Sequence, residues 1–143
     1  MSIKHEEPVV YKVLEEADSQ IENFNLDPKL VELIRLRASQ INGCGYCVNY
    51  HSKNATSLGE TAQRLFAVSA WWETPFFTEE ERAALKLVEE VTSISDHGVS
   101  DEVFNNALRI FGKQKLAQLI FVITAINSWN RIAISTHLVA EKD

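Results

Sequence analysis

The apolar positions of this chain recur every three to four residues, a spacing that places them on one face of an α-helix. No stretch shows the strict alternation of apolar and polar residues that a half-buried β-strand requires. The pattern predicts helices near residues 9–24, 28–42, 44–58, 60–72, 78–91, 100–112 and 113–139. We therefore expect an all-α helical bundle of about six to seven helices, whose C-terminal helix is long and buried on most sides.

Two glycines mark predicted helix ends, because glycine readily adopts the left-handed conformation at which helices often stop. Gly43 separates the second predicted helix from the third, and Gly112 separates the last two. The chain shows no linker and no repeat, so we expect a single domain over residues 1–143. Residues 1–8 precede the helical pattern and are expected to form a mobile arm.

Composition and charge narrow the classes of function. The 143 residues include 20 acids against 14 bases, a formal net charge of −6. Such a chain, with no basic block, would repel nucleic acid and anionic membranes, so we expect neither as a partner. It shows neither a secretion signal nor an apolar run of about 20 residues that could span a membrane, so we expect it in the cytoplasm. In that compartment two cysteines are more often catalytic, redox-active or metal-binding than joined in a static disulfide.

The clearest chemical signal is the segment Cys44-Gly45-Tyr46-Cys47-Val48-Asn49-Tyr50-His51. At about 100° per residue, Cys44, Cys47 and His51 fall on one face of a helix. Both cysteines lie near the predicted helix start, where unsatisfied N–H groups and the helix dipole favour a thiolate, and a neighbouring histidine favours it further. A thiolate reacts with peroxides and disulfides, and a second cysteine can trap the sulfenic acid product as a reversible disulfide.

Glu32 is a candidate further member of this group. It precedes Cys44 by twelve residues, on the preceding helix, from which its carboxylate could orient His51 or pass it a proton. The alternative is a surface acid paired with Arg35 or Arg37 at helical spacing. Spacing by itself favours that alternative.

The four residues Glu32, Cys44, Cys47 and His51 form the pattern E-x11-C-x2-C-x3-H. In this pattern the chain resembles the AhpD-like alkylhydroperoxidase family, within the wider carboxymuconolactone decarboxylase superfamily, and is similar to its short, single-core branch. The resemblance covers residues 28–135. Segments 36–44, 69–78 and 126–131 also look like that family.

The resemblance implies an all-helical fold that assembles as trimers or hexamers, and a peroxidase that reduces organic hydroperoxides without a cofactor or a metal. In the family the second cysteine attacks the peroxide and the first resolves the product. Carried onto this chain, Cys47 attacks, Cys44 closes the disulfide, and His51 and Glu32 relay protons. An external dithiol, either a lipoyl group or a thioredoxin-like protein by the same resemblance, would restore the thiols.

The chain departs from the best-known family members between its cysteines. Those members have a histidine there, where this chain has Gly45-Tyr46, so Tyr46 or water would replace it in a proton relay. Two alternatives use the same side chains. One is a thiol–disulfide oxidoreductase or redox sensor that ignores peroxides, and the other is a zinc-binding module, for which Cys44, Cys47 and His51 would supply three ligands.

The remaining aromatic and histidine side chains are given structural roles. Several aromatic residues are expected in the core or at a subunit interface, with a substrate pocket as the alternative. They are Trp71, Trp72, Phe76, Phe77, Tyr50 and Trp129. His5, His97 and His137 lack partners at helical spacing and are expected to be structural or exposed.

Overall fold

The computed structural model describes residues 1–142, and every regular element in that range is helical. The prediction of an all-α bundle is confirmed. The α-helices are α1 (Ile3–Glu6), α2 (Pro8–Ser19), α3 (Pro28–Asn42), α4 (Gly45–Ser57), α5 (Ala62–Ala67), α6 (Glu79–Thr92) and α7 (Asp101–Ser135). Two 3-10 turns cover Gln20–Asn23 and Val68–Glu73. None of these helices is both long enough and apolar enough to cross a membrane.

Helix α3 is the central element, in contact with α4, α6 and α7. It begins as predicted at Asp27, whose carboxylate accepts a hydrogen bond from the Lys29 N–H at 2.9 Å and so satisfies one of the free donors of the first turn. Side chains are buried on opposite sides of the helix. Ile34 belongs to the apolar cluster shared with α6 and α7, and Leu33 to the one shared with α4 and α5. Any side chain on α3 that faces α4 is therefore shielded from water.

Helix α7 is broken at Gly112, the position at which the sequence predicts a helix end. Gly112 adopts φ +72° and ψ 170°, and helical geometry resumes after it. The prediction of a helix over residues 113–139 is wrong at its end, because α7 stops at Ser135. His137 has a φ of +56°, the left-handed conformation that commonly terminates helices.

Two other predicted helices are interrupted. The segment predicted over residues 60–72 leaves helical geometry at Ala70 (φ −135°, ψ 37°) and finishes as a 3-10 turn. The helix predicted over residues 9–24 also finishes as a 3-10 turn, Gln20–Asn23. Helix α1 lies within the predicted N-terminal arm, whose mobility stays a prediction. The 3-10 turn Gln20–Asn23 and residues 24–27 connect α2 to α3.

A buried polar network fastens α7 to α3 and α6. Asn130 is fully buried, and its amide donates to Ser39 Oγ at 3.0 Å while its carbonyl accepts from Asn42 Nδ2 at 2.9 Å. Asn42 also donates to Asn127 Oδ1 at 2.9 Å, and Asn127 donates to Thr92 Oγ1 at 3.1 Å. Because these groups satisfy one another in a low dielectric, removal of one leaves others without partners.

The substitution Asn130→Ala is expected to lower the free energy of unfolding by roughly 2–3 kcal/mol, because it deletes two hydrogen bonds and leaves a small cavity. Urea denaturation at a fixed protein concentration measures this change. Asn105→Ala, at an exposed position of the same helix, is the matched control and should change stability by less than about 0.5 kcal/mol. Equal stabilities for the two variants would contradict the importance of the network.

Candidate functional site

The site is built on the junction between α3 and α4. Gly43 ends α3 with φ +71°, and two hydrogen bonds close the turn: Gly43 N–H to the Gln40 carbonyl at 3.2 Å, and Cys44 N–H to the Ser39 carbonyl at 2.9 Å. This pair of bonds is a Schellman motif, which fixes the direction in which the chain leaves a helix. The predicted helix end at Gly43 is confirmed, and Cys44 is held rigidly at the start of α4.

The two cysteines occupy the first turn of α4. Cys44 is the N-cap residue, and its Sγ accepts a hydrogen bond from the Cys47 N–H at 3.3 Å. The two side chains form a disulfide, with their Cα atoms 5.3 Å apart. Cys44 is 1% exposed and Cys47 is 4% exposed. The sequence segment therefore places two bonded sulfur atoms next to the free N–H groups of a helix start.

Glu32 and His51 meet between α3 and α4. Glu32 Oε2 lies 2.8 Å from His51 Nδ1, and the two residues are only 5% and 7% exposed. The Glu32 carboxylate therefore accepts a hydrogen bond from His51 Nδ1–H, which leaves Nε2 as the ring nitrogen without a carboxylate partner. His51 follows Cys47 by one helical turn, so the ion pair and the cysteine share a face of α4.

A second contact to Glu32 comes from Arg35, one turn further along α3. Arg35 Nη1 donates to Glu32 Oε1 at 2.8 Å, and Arg35 Nη2 donates to Asp18 Oδ1 on α2 at 3.1 Å. The alternative of a surface acid is wrong in its location, because Glu32 is buried, although the predicted pairing with Arg35 is present beside the contact with His51. Arg37 instead bonds Glu89.

These partners determine the charge of Glu32. Burial raises the pKa of its carboxyl, but the hydrogen bond and charge of His51, followed by those of Arg35, outweigh burial and hold the pKa below its ordinary value of 4.5. Glu32 is therefore a carboxylate at neutral pH, and it places a negative charge beside the His51 ring.

A pocket of about 740 Å³ opens beside this pair. Glu32, Cys47 and His51 all line it, so one residue of the disulfide and the Glu32–His51 pair border the same cavity. Cys44 is not among the lining residues, and it packs with Cys47 against Ala133. The two cysteines therefore differ in access, because only Cys47 contributes to the wall of the pocket.

Aromatic rings form much of the pocket wall. Tyr46, which lies between the two cysteines in the sequence, stacks on Tyr50 with ring centroids 6.3 Å apart. Tyr50 meets the His51 ring edge-on at 5.2 Å. Tyr11 from α2 meets Trp129 from α7 at 5.2 Å, and partial burial, followed by the charge of a neighbouring glutamate, raises the pKa of Tyr11. Tyr50 and Trp129 are thus pocket residues, the alternative that the sequence left open.

The other aromatic and histidine predictions have separate outcomes. Trp71 and Phe77 are buried in the core cluster shared by α3 and α4, and Phe76 is partly buried against it, whereas Trp72 is half-exposed. The three histidines other than His51 are exposed, as expected.

Within residues 1–142 no group of three or more His, Cys, Asp or Glu side chains is arranged to hold a metal ion, so the zinc alternative has no support in the geometry.

Two features of the site were missed from the sequence. The first is Asp18, which joins the ion network through Arg35 across the turn between α2 and α3. The second is Tyr11, which closes the pocket against Trp129. Both lie on α2, outside the segment that carries the motif, and no spacing rule relates them to His51. A helical period at residues 9–24 was the only available signal, and it does not specify where α2 packs.

Comparisons with known proteins agree with this architecture. The carboxymuconolactone decarboxylase family is matched over residues 8–90. The chain is 35% identical over 128 residues to YdfG, an uncharacterized protein of Bacillus subtilis, a match that covers 90% of this chain and 87% of YdfG. It is 31% identical over 98 residues to YnjA, an uncharacterized protein of Escherichia coli, covering 68% of this chain and 53% of YnjA.

Solved structures show the same fold. The protein ATU0492 from Agrobacterium tumefaciens, of unknown function and provisionally described as the antioxidant defence protein AhpD, superposes with a TM-score of 0.97 at 32% identity, covering 100% of this chain and 98% of that one. The debrominase Bmp8 superposes with a TM-score of 0.84 at 22% identity, covering 96% and 74%, and shows the fold alone. The chain therefore belongs to the carboxymuconolactone decarboxylase family, as an AhpD-like member.

Proposed function

We propose that this protein is a dithiol peroxidase that reduces organic hydroperoxides through a thiol–disulfide cycle between Cys47 and Cys44. The observation that carries the proposal is that only one of the two cysteines borders the pocket. Cys47 lines a pocket together with the Glu32–His51 pair, whereas Cys44 does not line it and is bonded to Cys47. This is the arrangement that an attacking thiol and its resolving partner need.

The first step consumes the peroxide. The N-terminus of α4 and a protonated His51 favour the thiolate of Cys47. Its sulfur attacks the terminal oxygen of the hydroperoxide, an S–O bond forms, and the O–O bond breaks. The departing alkoxide takes a proton from His51 Nε2 and leaves as an alcohol, while Cys47 becomes a sulfenic acid. The two electrons that reduce the peroxide come from the sulfur.

The second step converts the sulfenic acid into a disulfide. The sulfur of Cys44 attacks Cys47 Sγ, the S–S bond forms, and the hydroxyl leaves as water with the proton that Cys44 gives up. In total one hydroperoxide and two thiols yield one alcohol, one water and one disulfide. An external dithiol, of the lipoyl or thioredoxin-like class, then supplies two electrons and two protons by exchange with the disulfide.

Glu32 serves both steps through His51. It touches neither the peroxide nor a sulfur, so it is a positioning residue that holds the imidazole in one tautomer and stabilises its protonated form. Arg35 keeps the carboxylate charged by pairing with its other oxygen. The proposal therefore assigns proton transfer to His51 and its orientation to Glu32.

One equivalent of an alkyl hydroperoxide is expected to remove two thiols from the reduced wild-type protein. In Cys47→Ser the loss should fall to the uncatalysed background, because the remaining thiol does not line the pocket. In Cys44→Ser one thiol should be lost, and Cys47 should accumulate as a sulfenic acid that dimedone traps. Thiol counting and mass spectrometry measure these outcomes.

Two results would contradict the assignment. Rapid thiol loss in Cys47→Ser with none in Cys44→Ser would reverse the two roles. Thiols that persist in the wild type after peroxide, but disappear after addition of a lipoyl disulfide, would favour the oxidoreductase that ignores peroxides. Cys44→Ser/Cys47→Ser is the matched control, and it should show no change with either reagent.

The charge of Glu32 also predicts a pH dependence of stability. Because its pKa is lower in the folded protein than the ordinary 4.5, the stabilisation is present above that pH and is lost as the pH falls through the lower, folded-state pKa. The free energy of unfolding should therefore fall more steeply below about pH 4.5 in the wild type than in Glu32→Gln. Denaturation at several pH values measures the two slopes.

Glu73→Gln is the control for that measurement, since it removes an exposed carboxylate that does not line the pocket. It should keep the wild-type slope. Parallel curves for the wild type and Glu32→Gln would mean that the ion pair with His51 and Arg35 does not stabilise the fold.

A further inference from the structure

The pocket that Cys47 faces has the size and lining of a small-molecule site. At about 740 Å³ it falls in the range of ligand pockets, roughly 300–1,000 Å³, and rings of Tyr11, Tyr46, Tyr50 and Trp129 line it. Apolar side chains from α3, α7 and the turn after α2 complete the wall. A hydroperoxide with an apolar or aromatic body can therefore bury that body while its O–O group reaches Cys47.

The charges that line the same pocket are mostly negative. Four acidic residues line it, and Arg35 is the one permanent cation among the lining residues. Glu15 and Asp18 lie on α2, and Glu22 lies in the 3-10 turn that follows it. These three acids lie at or near the rim, because Glu15 and Glu22 are exposed and Asp18 is partly exposed. An incoming ligand must therefore pass a negative rim before it reaches the sulfur.

Arg35 cannot compensate the negative charge of the rim when a ligand binds, because its guanidinium is already paired with two acids. Its two terminal nitrogens bond Glu32 and Asp18 at 2.8 and 3.1 Å, and its side chain is 14% exposed. Turning toward a ligand would leave the buried Glu32 short of a partner. Lys4 lies outside the lining, largely exposed, 3.9 Å from Glu15, so its charge is screened by solvent and shared with that acid.

We propose that this pocket selects uncharged organic hydroperoxides and discriminates against hydroperoxides that carry a carboxylate. This inference rests on the proposed function. A carboxylate would exchange its hydration for a wall whose one permanent cation, Arg35, is already paired with two acids. It would also meet Glu15, Asp18 and Glu22 at the rim, where like charges raise the free energy of every bound state, including the transition state. A neutral apolar substrate has neither cost.

The test measures kcat/KM for three related hydroperoxides. Each is added to the reduced protein in the presence of an excess of a small dithiol reductant. They are cumene hydroperoxide, its para-carboxylate and the methyl ester of that carboxylate. The carboxylate should be consumed with a kcat/KM roughly tenfold below that of the ester. The ester should be consumed at a rate similar to cumene hydroperoxide, which excludes size as the cause.

Charge variants assign the discrimination to the rim. The double substitution Glu15→Gln/Glu22→Gln should reduce the ester-to-carboxylate ratio by roughly threefold or more, since two of the repelling charges are gone. The matched control, Glu73→Gln/Glu80→Gln, changes the net charge by the same amount at exposed positions outside the pocket and should keep the wild-type ratio. Added salt should narrow the ratio in the wild type, because it screens exposed charges.

Three results would overturn the inference. Equal kcat/KM values for ester and carboxylate would show that the pocket does not discriminate between charged and uncharged substrates, although the proposed function would stand. An equal fall of the ratio in both double variants would assign the effect to net charge rather than to the rim. If none of the three hydroperoxides is consumed, the proposed function fails, and this inference fails with it.

Discussion

A carboxylate that is removed from water needs other groups to replace its hydration, and in this fold that requirement arises in the N-terminal half of α3. Glu32 is almost fully buried there, and each of its oxygens has a partner: His51 from α4 and Arg35 from its own helix. An unpaired charge at this depth would be strongly destabilising. The packing of α4 on α3 is thus coupled to the site's electrostatics, because the same contact that satisfies the charge also orients the imidazole beside Cys47.

The sequence predicted best where periodicity and a terminating residue agreed. Gly43 and Gly112 end helical segments as expected, because both adopt a positive φ that other residues rarely adopt. The prediction from sequence failed where the local helical pattern and the packing of the folded protein favour different backbone conformations. Residues 60–72 carry a helical pattern, yet the chain departs from helix at Ala70, next to the buried ring of Trp71. Propensity is a weak guide at such a place, because burying a large ring outweighs it.

The site could be predicted only in part for a similar reason. Cys44, Cys47 and His51 lie on one helix, so spacing alone places them on one face. Glu32 lies on another helix, and only the resemblance to a family favoured its functional role over a surface ion pair. Asp18 could not be found at all, because its contact with Arg35 depends on how the 3-10 turn after α2 redirects the chain.

Helix α2 supplies walls to the pocket while burying no residue of its own. Its attachments to the rest of the protein include the contact of Tyr11 with Trp129 and the ion pair of Asp18 with Arg35. For protein engineering, this means that α2 can be exchanged as one segment. A designer could vary its other positions to reshape the pocket wall at little cost in stability, since the two cysteines and the Glu32–His51 pair lie on α3, on α4 and at the residue that caps α4.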